Sequence, residues 1–165
     1  MSLVLQISDT HFGTERPEVV EALHGFAAEL RADLVILSGD ITQRAQPDEF
    51  EAARRFVQRI APPALLAIPG NHDMPLFNLF ARALDPYGRY ADVFGAELEP
   101  AYESQDLLVL GVNTTRARRH KHGEVSAWQI ERVAQRLRRS RRARMARASS
   151  SGSIPGRPRS MSTMS

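Results

Sequence analysis

The chain has 165 residues, apolar and charged fractions of 42% and 25%, and no cysteine. That leaves room for one domain with a core and excludes disulfides and thiolate metal sites, so any metal here is held by oxygen and imidazole. The net charge of +3 averages two unlike parts: 12 basic residues against 18 acidic ones up to Trp128, then ten arginines against the single acid Glu131. The basic pI thus belongs to the C-terminal stretch, and no specific nucleic-acid partner is expected for the acidic part. No apolar run approaches the roughly 20 residues that span a bilayer, and the N-terminus lacks a secretory pattern. A cytoplasmic location without a membrane partner is the expectation.

Leu3 to Ile7 is read as a buried strand. Pro17 stands where a helix can begin, and Val19, Val20, Leu23, Phe26, Ala27 and Leu30 follow at helical spacing. Leu34 to Leu37 is a second buried strand. A second helix starts near Pro47 with Phe50, Ala53, Val57 and Ile60 on one side, and Pro62-Pro63 stops it. Ala64 to Ile68 is a third strand, Pro75 to Leu84 a short helix, and Leu107 to Val112 a fourth strand. A last helix begins at Ser126, capped reciprocally by Ser126 and Gln129. Ile130, Val133, Ala134 and Leu137 are its expected apolar stripe, and Trp128 is expected to pack at its start. From Arg138 the composition turns to Arg, Ser, Ala, Gly, Pro and Met without periodicity, and residues 138–165 are expected to be a disordered tail. Strands alternating with helices imply an α/β fold with a parallel sheet, whose ligands gather at the carboxyl ends of the strands.

Three of those strand ends carry ligand-type residues. The first strand runs into Ser8-Asp9-Thr10-His11, the second into Ser38-Gly39-Asp40 and the third into Pro69-Gly70-Asn71-His72-Asp73. Parallel strands side by side bring the three clusters to one edge. A carboxylate and an imidazole can share one ion, so Asp9, His11 and Asp40 are the expected ligands of a first cation. A carboxylate has lone pairs enough to bridge, so Asp40 can also serve a second cation about 3.5–4 Å away, with Asn71 offering a neutral oxygen. His72 is then the candidate catalytic acid beside the leaving oxygen. Asp73 is placed to fix the tautomer of that imidazole or raise its pKa.

Asp9-x-His11, Gly39-Asp40 and Gly70-Asn71-His72-Asp73, about 30 residues apart, resemble the calcineurin-like metallophosphoesterases over roughly residues 3–137. The resemblance implies the N-terminal half of that family's α/β/β/α sandwich, a mostly parallel sheet flanked by helices. It implies metal-dependent hydrolysis of a small phosphoester, with two ions that the donor set leaves open among Fe, Mn and Zn. Gly39-Asp40-Ile41-Thr42 and the stretch from Asn113 to Trp128, with His122-Gly123, are most similar to the branch of cyclic-nucleotide phosphodiesterases.

The family pattern continues with a His closing a later strand and a Gly-His-x-His loop, which this chain lacks: no histidine follows His122. His24 is read as structural, and His120 and His122 sit in an Arg/Lys-rich loop whose charge opposes a cation. The change of composition is read as a truncation or frameshift after about residue 137. On that reading one ion or fewer is bound, hydrolysis is slow or silent, and an uncovered sheet favours self-association or aggregation. The rival reading is a catalytically inactive fragment that binds polyanions nonspecifically through its basic tail.

Overall fold

The computed structural model describes residues 1–75, 84–116 and 123–151. The strands β1 (Val4–Ser8), β2 (Leu34–Gly39) and β3 (Leu65–Pro69) form a parallel sheet in that order. Two crossover helices of 14 residues, α1 (Pro17–Leu30) and α2 (Pro47–Ile60), link them. Each begins on a proline, whose missing N–H has no helical acceptor to lose. Each ends on a left-handed residue, Arg31 at φ 49° and Ala61 at φ 47°.

Alternation along the strands selects the face that meets the helices. Ile7, Val35, Leu37 and Ala67 pack with Phe12, Phe50, Ala53 and Phe56 in one core. Phe50 is 1% exposed, and its replacement by Ala costs about 3–5 kcal/mol through lost burial and the cavity left behind. The register pairs Ser8 with Ser38 and Gly39 with Pro69, so the three strands end level and their following loops share one rim.

The second half departs from the sequence-based expectations. After α3 (Gly88–Phe94), β4 (Ala101–Glu103) pairs antiparallel with β5 (Leu108–Leu110) in a separate two-stranded sheet. The strand expected at 107–112 is therefore shorter and does not extend the parallel sheet. β4 and α3 escaped the sequence pattern because neither is long enough to show a period. The helix expected from Pro75 to Leu84 falls mostly outside the described residues.

The last helix, α4 (Ala127–Ser151), begins where expected and runs well past Leu137. Residues 138–151, expected to be disordered, are helical; Arg, Ala and Met are strong helix formers that need little burial to propagate a helix already begun. Ser140 is buried, and Arg144 donates to the carbonyl of Asp106 at 3.1 Å. Residues 152–165 lie outside the described residues. The inward face of α4 is polar: Gln129 is buried, Arg132 pairs with Glu99 at 3.0 Å, and Arg136 pairs with Glu103 at 3.5 Å. Its expected apolar stripe is split, with Val133 and Ala134 half-buried. Ile130 and Leu137 are exposed, and Trp128, expected to pack, is 67% exposed beneath the Arg132 guanidinium. Val19 and Phe26 of α1 are likewise exposed, while Val20, Leu23 and Ala27 pack inward. No helix among the described residues is long and apolar enough to cross a membrane.

Candidate metal centre

The loops after β1 and β2 run side by side. Asp9 N–H donates to the Ser38 carbonyl at 3.0 Å, His11 N–H to that of Asp40 at 3.0 Å, and Phe12 N–H to that of Ile41 at 2.8 Å. This path needs left-handed backbone at Asp9 (φ 54°), His11 (φ 45°) and Gly39 (φ 75°). Such conformations cost about 1–3 kcal/mol each at non-glycine residues, and they persist where the surrounding structure enforces them, often at working sites.

Gly39 and Gly70 are required by close approach. A Cβ at Gly39 would stand 2.5 Å from Asp9 Oδ1, and one at Gly70 would stand 2.1 Å from Asp40 Oδ1. The carboxylates occupy the volume a side chain would take. Asp9 Oδ1 accepts from Asp40 N–H at 3.2 Å, and Asp40 Oδ1 accepts from His72 N–H at 2.9 Å. Each loop thus orients the carboxylate of the loop before it.

His11, Asp40 and His72 bring three ligand atoms within 4.8 Å of one another, close enough to share one cation. The two imidazoles meet edge to face with centroids 5.3 Å apart. Nδ1 of His11 is buried with no hydrogen-bond partner among the described residues, and a ligand would satisfy it. Asp9, Asp40 and Asn71 line a cavity of about 320 Å³ with Ser38, Ile68 and Arg116. Asp40 therefore belongs to both groupings, as a bridging carboxylate would. Oxygen and imidazole donors of this kind, with a lone pair buried and unused, fit a divalent cation.

His72 and Asp73 part company. Nδ1 of His72 lies 2.7 Å from the Gln43 carbonyl; a carbonyl only accepts, so Nδ1 carries the proton. Asp73 turns away from that ring. It is 1% exposed and accepts from the N–H of Gly70 at 2.8 Å, of Ile41 at 3.1 Å and of Thr42 at 2.7 Å, and from the Thr42 hydroxyl at 2.7 Å. The expected contact between Asp73 and the imidazole is replaced by a knot between the loops after β2 and β3. Burial pushes the Asp73 carboxyl up to about 6, against the four donors that favour its anion.

Sequence reasoning missed the partners of this knot. Thr42 is fully buried, and a threonine two residues after Asp40 carries no periodic signal. Arg116 entered the sequence reading only as part of a basic loop, yet it lines the cavity with the ligands. His24 is half-buried in α1, and its Nε2 has no partner among the described residues. His120 and His122 lie outside the described residues.

A family model for calcineurin-like phosphoesterases matches residues 2–141. Among curated proteins, a glycerophosphodiester phosphodiesterase of Enterobacter lignolyticus is 37% identical over 84 residues, covering 43% of this chain and 29% of that one. A probable cyclic nucleotide phosphodiesterase of a Synechococcus strain is 28% identical over 143 residues, covering 81% of this chain and 52% of that one. The chain thus spans about half the length of these relatives or less. The family match takes in every loop that builds the cluster, and the chain belongs to the calcineurin-like phosphoesterase family.

Proposed function

We propose that this chain carries part of the active site of a metal-dependent phosphoester hydrolase acting on phosphodiesters. The observation that carries the proposal is the convergence of His11, Asp40 and His72 on one point beside a cavity lined by Asp9 and Asn71. In this reading Asp9, His11 and Asp40 would hold one ion, and Asp40 and Asn71 would contribute to a second. Such ions lower the pKa of a water and stabilise charge on phosphoryl oxygens.

The chain's own residues orient and exchange protons. The loops after β2 and β3 fix the carboxylates through backbone N–H groups, which preorganises the site before ligand arrives. The Gln43 carbonyl holds the Nδ1 proton of His72, so it is the imidazolium, protonated on Nε2 as well, that would give its Nε2 proton to the leaving oxygen and return to the Nδ1–H tautomer. Two relatives whose names specify different diesters, a glycerophosphodiester and a cyclic nucleotide, support the diester class above either substrate.

The test is hydrolysis of bis(p-nitrophenyl) phosphate beside p-nitrophenyl phosphate, with and without added Mn, Zn or Fe. Metal-dependent turnover that prefers the diester is expected. It should be slow, below about 1 per second, against ordinary enzymatic rates of about 1–1000 per second, because the second ion has few ligands in this chain. Turnover that ignores added metal and chelator, or that survives Asp40→Asn unchanged, would overturn the proposal. The polyanion-binding alternative predicts no metal dependence at all.

A further inference from the structure

We infer that Arg116 is a phosphate-binding residue of this site, donating from its guanidinium to a bound phosphoryl group. The inference rests on the metal-centre reading above and adds a residue to it. Arg116 lines the same cavity of about 320 Å³ as Asp9, Asp40 and Asn71. It is the one cation among that cavity's described lining residues.

The hydrogen bonds of the guanidinium show which part is spoken for. Nη1 donates to the carbonyls of Asn113 at 3.2 Å and Thr115 at 2.9 Å, and Nη2 donates to Gln129 Oε1 at 3.0 Å. A guanidinium has five N–H donors, so these three bonds leave Nε–H and one Nη2–H. No described residue accepts from Nε. Both remaining groups are N–H donors of a charged planar group, of the kind that suits phosphoryl oxygens.

All three acceptors are neutral, so the charge of Arg116 is held but not cancelled. The arginines of α4 nearby contrast with it: Arg132 pairs with Glu99, and Arg136 with Glu103. Among the described residues Arg116 has no such ion pair. A half-buried, uncancelled cation beside clustered carboxylates fits an anion that both it and bound cations attract.

The support behind Arg116 is rigid. Gln129 is buried, and its Oε1 also accepts from Ser126 N–H at 2.8 Å. Its Nε2 donates to the Asn113 carbonyl at 2.8 Å and to Glu99. A side chain already fixed loses little entropy on binding. The competing role is a strut tying the loop after β5 to α4, which would show in stability and leave anion affinity alone.

The experiment is calorimetric titration of the full chain with inorganic phosphate, with and without saturating Mn, for the wild type, Arg116→Ala and Arg116→Gln. A Mn titration and a thermal melt accompany each protein. Gln keeps a donor for the carbonyls without the charge, so it serves if the Ala variant fails to fold. Phosphate affinity should fall about tenfold or more in the neutral variants, the size expected for hydrogen bonds to a charged group, with Mn affinity unchanged. Equal phosphate affinity in wild type and a folded neutral variant overturns the inference, as does a wild type that binds Mn and no phosphate. Failure to bind Mn would contradict the metal centre instead; phosphate binding without metal that the neutral variants lose would still support Arg116, and its absence would overturn it.

Discussion

The backbone N–H of His72 donates to Oδ1 of Asp40 at 2.9 Å, across 32 positions of sequence. The loops after β2 and β3 are thus held together by the Asp40 carboxylate accepting from the His72 backbone. Asp40 has a structural duty apart from any ion, and the two duties separate by substitution. Asp40→Ala leaves the His72 N–H without its acceptor and should cost about 1–3 kcal/mol. Asp40→Asn keeps an acceptor oxygen and should cost about 1 kcal/mol or less. Urea denaturation of both variants without metal checks this. Equal losses would show that the bond contributes nothing.

Asp73 should matter more for folding than any other carboxylate near the site. Its removal by Asp73→Ala strands three backbone N–H groups and the Thr42 hydroxyl in a buried region. A loss of about 3 kcal/mol or more is expected, since each buried unsatisfied group costs about 1–3 kcal/mol. Thr42→Val removes only one of the donors and should cost about 1–2 kcal/mol. Denaturation midpoints compare them, and a Thr42→Val loss matching that of Asp73→Ala would place the knot elsewhere.

The polar seam under α4 gives a third prediction. Gln129→Ala removes the common partner of Ser126, Arg116, Glu99 and Asn113, and should lower stability by about 2 kcal/mol or more. Hydrogen exchange followed by mass spectrometry should also show protection continuing from Arg132 past Ser140. Exchange at the rate of free peptide from Arg138 onward would contradict the helix and restore the disordered tail read from composition.

Val19, Phe26, Trp128, Ile130 and Leu137 lie open on two helices. Soluble monomers rarely expose contiguous apolar surface beyond a few hundred Å², so self-association at micromolar concentration is expected. Sedimentation velocity should show mass rising with concentration, and Ile130→Glu with Leu137→Glu should reduce it. A wild-type chain that stays monomeric at high concentration would show that these side chains are tolerated in water.

The parallel half of the fold was legible because its signals are local and repeated. Each buried strand is a short apolar run, each helix opens on a proline, and each strand ends in a ligand block, so the register alone carries Asp9, Asp40 and Asn71 to one rim. The remainder depends on contacts between distant residues. Asp73 reads as a tautomer-fixing neighbour of His72 by adjacency, but four donors draw it to the opposite side. Ile130 and Leu137 read as a buried stripe by periodicity, yet Arg132 and Arg136 turn the polar face of α4 inward through Glu99 and Glu103. Arg116 reads as one charge in a basic loop, and only the fold sets it in the cavity.

Manganese binding measured by calorimetry tests the metal centre most directly. The chain should bind about one ion per molecule, with modest affinity, because in the proposed reading Asp9, His11 and Asp40 would serve the first ion and only Asp40 and Asn71 the second. Asp40→Asn should abolish that binding while leaving the thermal melt nearly unchanged. Wild-type chain that takes up no Mn, or Asp40→Asn protein that binds it as tightly as wild type, would contradict the assignment of these loops as a metal site.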